Sequence, residues 1–120
     1  MSTNAVTITA AGTEFYIDDI VDVIIKRMIP DAEEDENTGV LRIHVTEDDL
    51  LDQAVDYAND NPTDLGSGTA FRRLGYGYEE DRSVGYASVY DVPKELAGDY
   101  ELEVDWTVYG ERVTSLKKVA

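Results

Sequence analysis

The chain has 120 residues, enough for one domain with a buried core, and 42% of them are hydrophobic. It has no cysteine, which excludes disulfides, thiolate zinc sites and cysteine nucleophiles. With 26 acidic residues against 10 basic ones, the net charge is −16, and this sign argues against nucleic acid or an anionic membrane as a partner. No apolar run approaches the length of a membrane span, and the N-terminus lacks the pattern of a signal peptide.

The first sixty residues predict strands alternating with helices. The predicted elements are a strand Ala5–Ala10, a helix Phe15–Ile29, a strand Val40–Val45 and a helix Glu47–Asp60. Thr46 and Asp49 are spaced as a weak capping box for the second helix. The run Val21–Ile25 is so rich in β-branched residues that a strand competes with the helix there.

After a loop at Thr63–Gly68, the remainder of the chain predicts only β-structure. The predicted strands are Thr69–Tyr78, Val84–Val92, Asp99–Tyr109 and Glu111–Val119. If Tyr78 pairs with Val84 across a turn at Glu79–Ser83, Arg72 lies opposite Tyr90, within reach of a cation–π contact. The reverse face of this hairpin would then carry Gly75, Gly77, Gly85 and Ala87, bare enough for another backbone to approach. We therefore expect an α+β domain spanning 1–120, with an antiparallel sheet in the order β-α-β-α-β-β-β-β and two helices packed on it.

The strand Asp99–Tyr109 has the clearest pattern in the chain. One face carries Tyr100, Leu102, Val104, Trp106 and Val108, and the other is acidic apart from one threonine. A single apolar face predicts that one side of the strand is buried. We therefore expect Trp106, the only tryptophan, to anchor the dry side of the sheet.

Two groups of residues are candidates for contacts with other chains. Helix Phe15–Ile29 carries apolar residues beyond its main stripe, so it is either buried on two sides or it meets another chain. The tyrosines of the predicted hairpin are typical of a core or an interface. The interface candidates are Val23, Ile25, Ile29, Tyr76, Tyr78, Tyr86 and Tyr90.

Arg72 and Arg73 follow the glycine-rich stretch 66–69 and are weak candidates for binding an anion. The stretch lacks the Gly-Lys-Ser/Thr ending of a phosphate loop and leads into a predicted strand rather than a helix. The two arginines would point to opposite faces of that strand, so they cannot form one clamp. We expect each of them to pair with a neighbouring carboxylate.

No residue pattern indicates a catalytic, cofactor or metal site. Asp31, Glu33 and Asp35 are spaced as in an EF-hand, but Glu36 and Arg42 stand where that loop needs glycine and a bidentate glutamate. His44, the only histidine, lies on the outward face of its predicted strand and has no sequence link to a serine nucleophile. We expect no enzymatic activity, no cofactor and no bound metal.

The segment Leu96-Ala97-Gly98-Asp99-Tyr100 resembles the tyrosine corner of immunoglobulin-like sandwiches. The continuation of the chain, Asp105–Leu116, resembles the final hairpin of small β-domains in structural proteins of tailed viruses. The first resemblance implies that the Tyr100 hydroxyl bonds back to the preceding loop. The two together imply a non-enzymatic building block that pairs with its neighbours.

The charge balance resembles that of proteins from extreme halophilic archaea or from viruses that infect them. In molar salt the screening length falls to about 3 Å, which removes most of the self-repulsion. Together, these resemblances predict an oligomeric structural protein of a halophile, in a virion (head, neck or tail) or in the cytoplasm, that binds itself or other structural proteins. The alternative is a cellular module that regulates or binds a small ligand, with Arg72 or Arg73 on an anion.

Overall fold

The computed structural model describes residues 6–61, 68–81, 86–108 and 110–119. The described residues form an α+β fold with antiparallel sheets, as the sequence predicts. The helices are α1 (Ile17–Ile20), α2 (Glu47–Asp60) and α3 (Ala70–Arg73). The strands are β1 (Thr7–Ala10), β2 (Thr13–Tyr16), β3 (Glu33–Glu34), β4 (Leu41–Val45), β5 (Gly77–Asp81), β6 (Tyr86–Asp91), β7 (Gly98–Thr107) and β8 (Gly110–Lys118).

The described strands form three separate sheets rather than the one expected sheet. Strands β1 and β2 make one hairpin, β5 and β6 make another, and a four-stranded sheet has the order β3-β4-β7-β8. The predicted run of strands after Thr69 therefore does not form a single layer, because β5 and β6 pair in a sheet of their own and β7 pairs with β4 from the first half of the chain. Within the hairpin β5–β6, Tyr78 lies opposite Val89, and the predicted pairing of Tyr78 with Val84 is wrong.

The first predicted helix begins later than its apolar spacing suggested. Phe15 belongs to β2, which follows a turn at Ala11 and Gly12 where both residues have positive φ. Helix α1 begins at Ile17 and runs on as a wider π-helical segment, Val21–Ile25. The β-branched segment is helical because tertiary packing overrides its strand propensity: its last three residues are all buried in the core.

Helix α2 has the predicted bounds and the predicted cap. The hydroxyl oxygen of Thr46 accepts from the Asp49 amide at 3.0 Å, and the Asp49 carboxylate accepts from the Thr46 amide at 2.9 Å. The helix packs on β6 and on the π-helical segment. No described helix has the length and apolar character needed to cross a membrane.

The predicted strand Thr69–Tyr78 is instead a short helix followed by the start of β5. Phe71 and Leu74 are three positions apart and both are buried, which is helical rather than strand spacing. Gly75 has φ +91°, which ends the helical turn and redirects the chain. Phe71 then stacks on Tyr57 and Tyr76, with ring centroids 6.0 and 4.8 Å away, so that α3 closes the aromatic part of the core.

The Tyr100 hydroxyl donates to the carbonyl oxygen of Leu96 at 2.5 Å, which is the hydrogen bond expected of a tyrosine corner. Lys94–Leu96 form a short 3-10 turn, and Gly98 with φ +143° leads the chain into β7. The ring of Tyr100 and the side chain of Leu96 are both buried. The corner thus fixes the start of β7 against the core.

Candidate functional site

The outer half of hairpin β7–β8 is the most exposed apolar feature of the described residues. We call residues 104–108 and 110–113 the arm. Tyr100 and Leu102 are buried on the inner face of β7, but Trp106 on the same face is 74% exposed, and Val108 at the tip is 94% exposed. The prediction that Trp106 anchors the dry side of the sheet is therefore wrong.

Trp106 is exposed because β7 extends beyond the end of β4, the strand on one side of it. Strand β4 covers β7 only as far as the pair Leu41 and Leu102, so beyond Leu102 the only described strand beside β7 is β8. From Glu103 to Ser115 no described residue of the hairpin is buried. The apolar face that begins in the core therefore continues into solvent along the arm.

A β-bulge marks the base of the arm. Glu103 lies opposite Ser115 and Val104 lies opposite Val113, which leaves Thr114 as an extra residue in β8. The Thr114 hydroxyl reaches the Glu103 carbonyl oxygen at 3.3 Å. A bulge in an outer strand hinders edge-to-edge pairing with another sheet, whereas it leaves the apolar face of the arm open.

The interface candidates of the first helix lie mostly inside the protein. Val23 and Ile25 are fully buried in the core, and Ile29 is half-buried against it. The helix is therefore buried on two sides, which was one of the two alternatives. Val23 and Ile25 present no exposed surface to another chain.

The tyrosine candidates are divided between the core and the surface. Tyr76 is buried, and its hydroxyl donates to the Leu50 carbonyl oxygen at 2.9 Å, so it belongs to the core. Tyr78 is half-buried with its ring edge on Phe71. Tyr90 is exposed and lies over Gly77, so that glycine is covered rather than bare.

Some predicted features lie outside the described residues. These are the side chains of Tyr86 and Ala87, the stretch 66–67, Gly85 and the turn residues 82 and 83.

The two arginine candidates for anion binding are both engaged within the chain. The Arg73 guanidinium donates from Nε and Nη2 to the two carboxylate oxygens of Asp19, each at 2.9 Å, and from Nη1 to the Gly68 carbonyl oxygen. Asp19 is buried, and its hydrogen bonds raise the pKa of Arg73. Arg72 lies over the ring of Tyr78, with 4.5 Å between its central carbon and the ring centroid, and not over Tyr90. The expected carboxylate partner is thus found for Arg73.

A polar groove lies on the outer face of the four-stranded sheet. Its floor includes His44, whose Nδ1 lies 2.5 Å from a carboxylate oxygen of Asp99 on the neighbouring strand. Met28, Asp31 and Glu33 also line the groove, whose volume is about 610 Å³. His44 and Asp99 are both substantially exposed, so their contact is a surface ion pair when the histidine is protonated.

Charged residues of opposite sign alternate across this outer sheet face. Glu33 lies opposite Arg42, Arg42 lies opposite Glu101, and Glu101 lies opposite Lys117, so the row crosses all four strands. Only Arg42 and Glu101 form an ion pair among these, at 3.4 Å, in the described structure. The row stabilises the order of the strands and gives the groove both donors and acceptors.

The acidic loop after the first helix does not form a cation site in the part of the chain that the structure describes. Asp31 ends a 3-10 turn, Glu33 belongs to β3, and the Asp35 carboxylate accepts from the Asn37 amide at 2.9 Å. Within the described ranges, no three histidine, cysteine or carboxylate side chains are grouped so that they could hold a metal ion.

Alternation alone does not mark Trp106 and Val108 as contact residues, because it is the same pattern that a buried strand has. A signal was present in the predicted lengths: Asp99–Tyr109 is almost twice as long as Val40–Val45. A long strand beside a short one leaves half of its length without that neighbour.

Comparisons with protein-family models, curated proteins and solved structures find no match for this chain.

Proposed function

We propose that this chain is a non-enzymatic assembly protein that joins copies of itself, or other structural proteins, through the arm. The observation that carries the proposal is the exposure of Trp106 at 74% on a face that continues from the core. Val108 extends the same apolar face to the tip, and Val104 and Val113 are half-buried at its base.

Burial of the arm would provide a driving force for association. Full burial of a large apolar side chain is worth about 1.5–3 kcal/mol, so Trp106 and Val108 together favour a covered state. Exposed apolar patches of this kind mark sites of interaction in soluble proteins. The bulge at Thr114 and the cationic residues Arg112 and Lys117 hinder pairing along the edge of β8, so a partner approaches the face instead.

The net charge sets the conditions under which this association occurs. Two copies that each carry a charge of −16 repel each other in dilute buffer. Screening in molar salt removes most of that repulsion and strengthens the apolar contact as well. We therefore place the protein in a halophile, in a virus particle or in the cytoplasm, with protein partners rather than nucleic acid or membrane.

The test measures mass by light scattering in molar potassium chloride at micromolar concentration. The wild-type chain is expected to form oligomers, and Trp106→Ser is expected to be monomeric with unchanged circular dichroism. Tyr90→Ser is the matched comparison, because it removes an aromatic ring of similar exposure from a different hairpin. A wild-type monomer under these conditions, or oligomers that persist in Trp106→Ser, would contradict the proposal.

The second candidate function is a small-ligand or regulatory module of a halophilic cell. The observation that favours it is the groove of about 610 Å³ over His44, Asp99 and Arg42, which lies within the size range of small-ligand pockets. The ligand would occupy this groove rather than Arg73, whose guanidinium is held by Asp19. Arg42→Glu would then abolish ligand binding measured by calorimetry, and Trp106→Ser would leave it unchanged.

A further inference from the structure

The apolar face of the arm matches itself when it is reversed. It carries Val104 and Trp106 of β7, Val108 at the tip, and Val113 of β8, which lies opposite Val104. Trp106 is the middle residue of the row, and a valine stands two positions away on either side of it. A second copy laid over this face in the opposite direction therefore presents the same apolar residue at every position along the row.

Charge disfavours the described grooves of a second copy as the surface that receives the arm. Asp52 and Asp56 line the groove between α2 and β6, and five acidic residues line the groove on the outer sheet face. An indole ring placed there would remove carboxylates from water without pairing them, which costs free energy. The face of the arm carries one acidic position, Glu111, which lies opposite Trp106 in the register.

The position of the core decides the relative direction of two paired arms. The apolar face of the arm continues from the face of β7 that carries Tyr100 and Leu102, and the core covers that face at the base. Two arms that ran in the same direction would bring both cores into the same space. Arms that run in opposite directions place the cores at opposite ends of the contact, which also separates the two net negative charges.

We propose that two copies of this chain pair arm to arm across a twofold axis, with the arms running in opposite directions and their apolar faces in contact. Trp106 then lies against Trp106 of the second copy, and Val104 at the base of one arm meets Val108 at the tip of the other. This inference rests on the proposed function, and it names the partner surface. The contact uses the same patch on both copies, so it closes as a dimer and does not grow into chains.

The area of the contact sets its strength. A tryptophan buries about 150–250 Å², whereas each partner of a standard interface buries about 800 Å². The arms therefore make a small interface, and the dimer is reversible and depends on concentration. The same axis brings the two Glu111 positions together, because each is the register partner of a Trp106, so screening by salt strengthens the dimer.

Sedimentation equilibrium in molar potassium chloride tests the closed symmetry. We expect an equilibrium between monomer and dimer for the wild-type chain, with no larger species as concentration rises, and a monomer for Trp106→Ser. Trp106→Phe keeps an aromatic ring and is expected to restore part of the dimer. Species larger than a dimer that grow with concentration would show a head-to-tail contact and overturn the twofold arrangement.

The contact between the two indole rings has a spectroscopic readout, because the chain has one tryptophan. As the concentration of the wild-type chain rises in molar salt, we expect its fluorescence emission to shift to shorter wavelength and exciton coupling between two indoles to appear in circular dichroism. Paired aromatic rings in proteins have centroids about 4.5–7 Å apart, close enough for this coupling. A shift in emission without exciton coupling would show that Trp106 is buried against a different surface.

Cysteine cross-linking tests the direction of the arms, because the chain has no cysteine of its own. Val104→Cys and Val108→Cys are mixed in molar salt and oxidised, and disulfides are identified by peptide mass spectrometry. Packed sheets lie about 10 Å apart, a separation that disulfides between sheets span in immunoglobulin domains. We expect disulfides between residues 104 and 108 of different copies, whereas two copies of residue 104 lie about 13 Å apart along the strands.

The cross-linking control is Tyr90→Cys, which places an exposed thiol on a different hairpin. It is expected to form few disulfides with either arm variant. If the wild type assembles and Trp106→Ser is monomeric, but residue 104 is not linked to residue 108, the arm functions in assembly through another surface and the twofold contact is wrong. If Trp106→Ser assembles as the wild type does, the proposed function and this inference are both contradicted.

Discussion

The Tyr100 hydroxyl donates to the backbone carbonyl oxygen of Leu96 at 2.5 Å, and both residues are buried. Tyr100→Phe removes the donor and leaves that carbonyl oxygen in the core without it. We expect the free energy of unfolding to fall by about 1–3 kcal/mol. Urea denaturation checks this value, with Tyr90→Phe as the control at an exposed ring. An unchanged urea midpoint for Tyr100→Phe would show that the corner bond does not stabilise the fold.

The ion pair between Asp19 and Arg73 links α1 to α3 and contains the only buried charged residue described. Arg73→Ala leaves the Asp19 carboxylate buried without its two donors, which is strongly unfavourable. We expect the melting temperature to fall by several degrees, and by much more than in Arg72→Ala. Arg73→Lys keeps the charge but cannot make the bidentate hydrogen bond to Asp19, so we expect it to restore only part of the lost melting temperature. Equal melting temperatures for Arg73→Ala and Arg72→Ala would contradict this.

Gly77 lies under the exposed ring of Tyr90. A Cβ atom at position 77 would lie 2.7 Å from Cε2 of Tyr90 and 3.1 Å from Cβ of Asp91, closer than atoms normally pack. Gly77→Ala is therefore expected to cost about 1 kcal/mol of unfolding free energy. In the double variant with Tyr90→Ala the ring is gone and most of that cost should disappear, which a double-mutant cycle measures. Additive effects of the two substitutions would mean that the ring does not press on position 77.

The sequence predicts those parts of the fold that local chemistry controls. The cap at Thr46 and Asp49 and the corner at Tyr100 both need only neighbouring residues, and both are present. The alternation of β7 is also correct, as is the pairing of β7 with β8. Alternation reports which residues share a face, but burial depends on what covers that face.

The errors concern contacts between distant parts of the chain. Trp106 is exposed because β4 is short, and β4 comes from another part of the sequence. The segment that contains Phe71 is helical because its aromatic ring enters a core made by Tyr57 and Tyr76. The shallow groove between α2 and β6 could not be predicted, because Leu51 and Val89 are brought together only by the packing of the helix on that strand.

Alkaline pH is expected to weaken the fold through two buried tyrosines. Burial raises the pKa of Tyr76 and of Tyr100, because the charged phenolate is poorly solvated in the core. The unfolded chain releases these protons near pH 10, whereas the folded chain keeps them, so stability is complete below about pH 10 and falls above it. Urea midpoints measured from about pH 8 to about pH 11 check the sign. Tyr76→Phe should flatten the decline relative to Tyr90→Phe, and an identical decline in both variants would contradict the assignment.

Salt is expected to stabilise the folded monomer independently of assembly. The net charge of −16 opposes compaction, and the screening length shortens from about 30 Å at 0.01 M to about 3 Å at 1 M salt. The measurement uses Trp106→Ser, so that oligomer formation does not contribute, and follows the melting temperature against potassium chloride concentration.

Adding Asp52→Asn and Asp56→Asn, at exposed positions of α2, should raise the melting temperature in dilute buffer and reduce the further gain from salt. Sucrose is the uncharged control, since it favours compact states without screening. If the charge-reduced variant gains as much from salt as its parent, screening of these charges is not the cause.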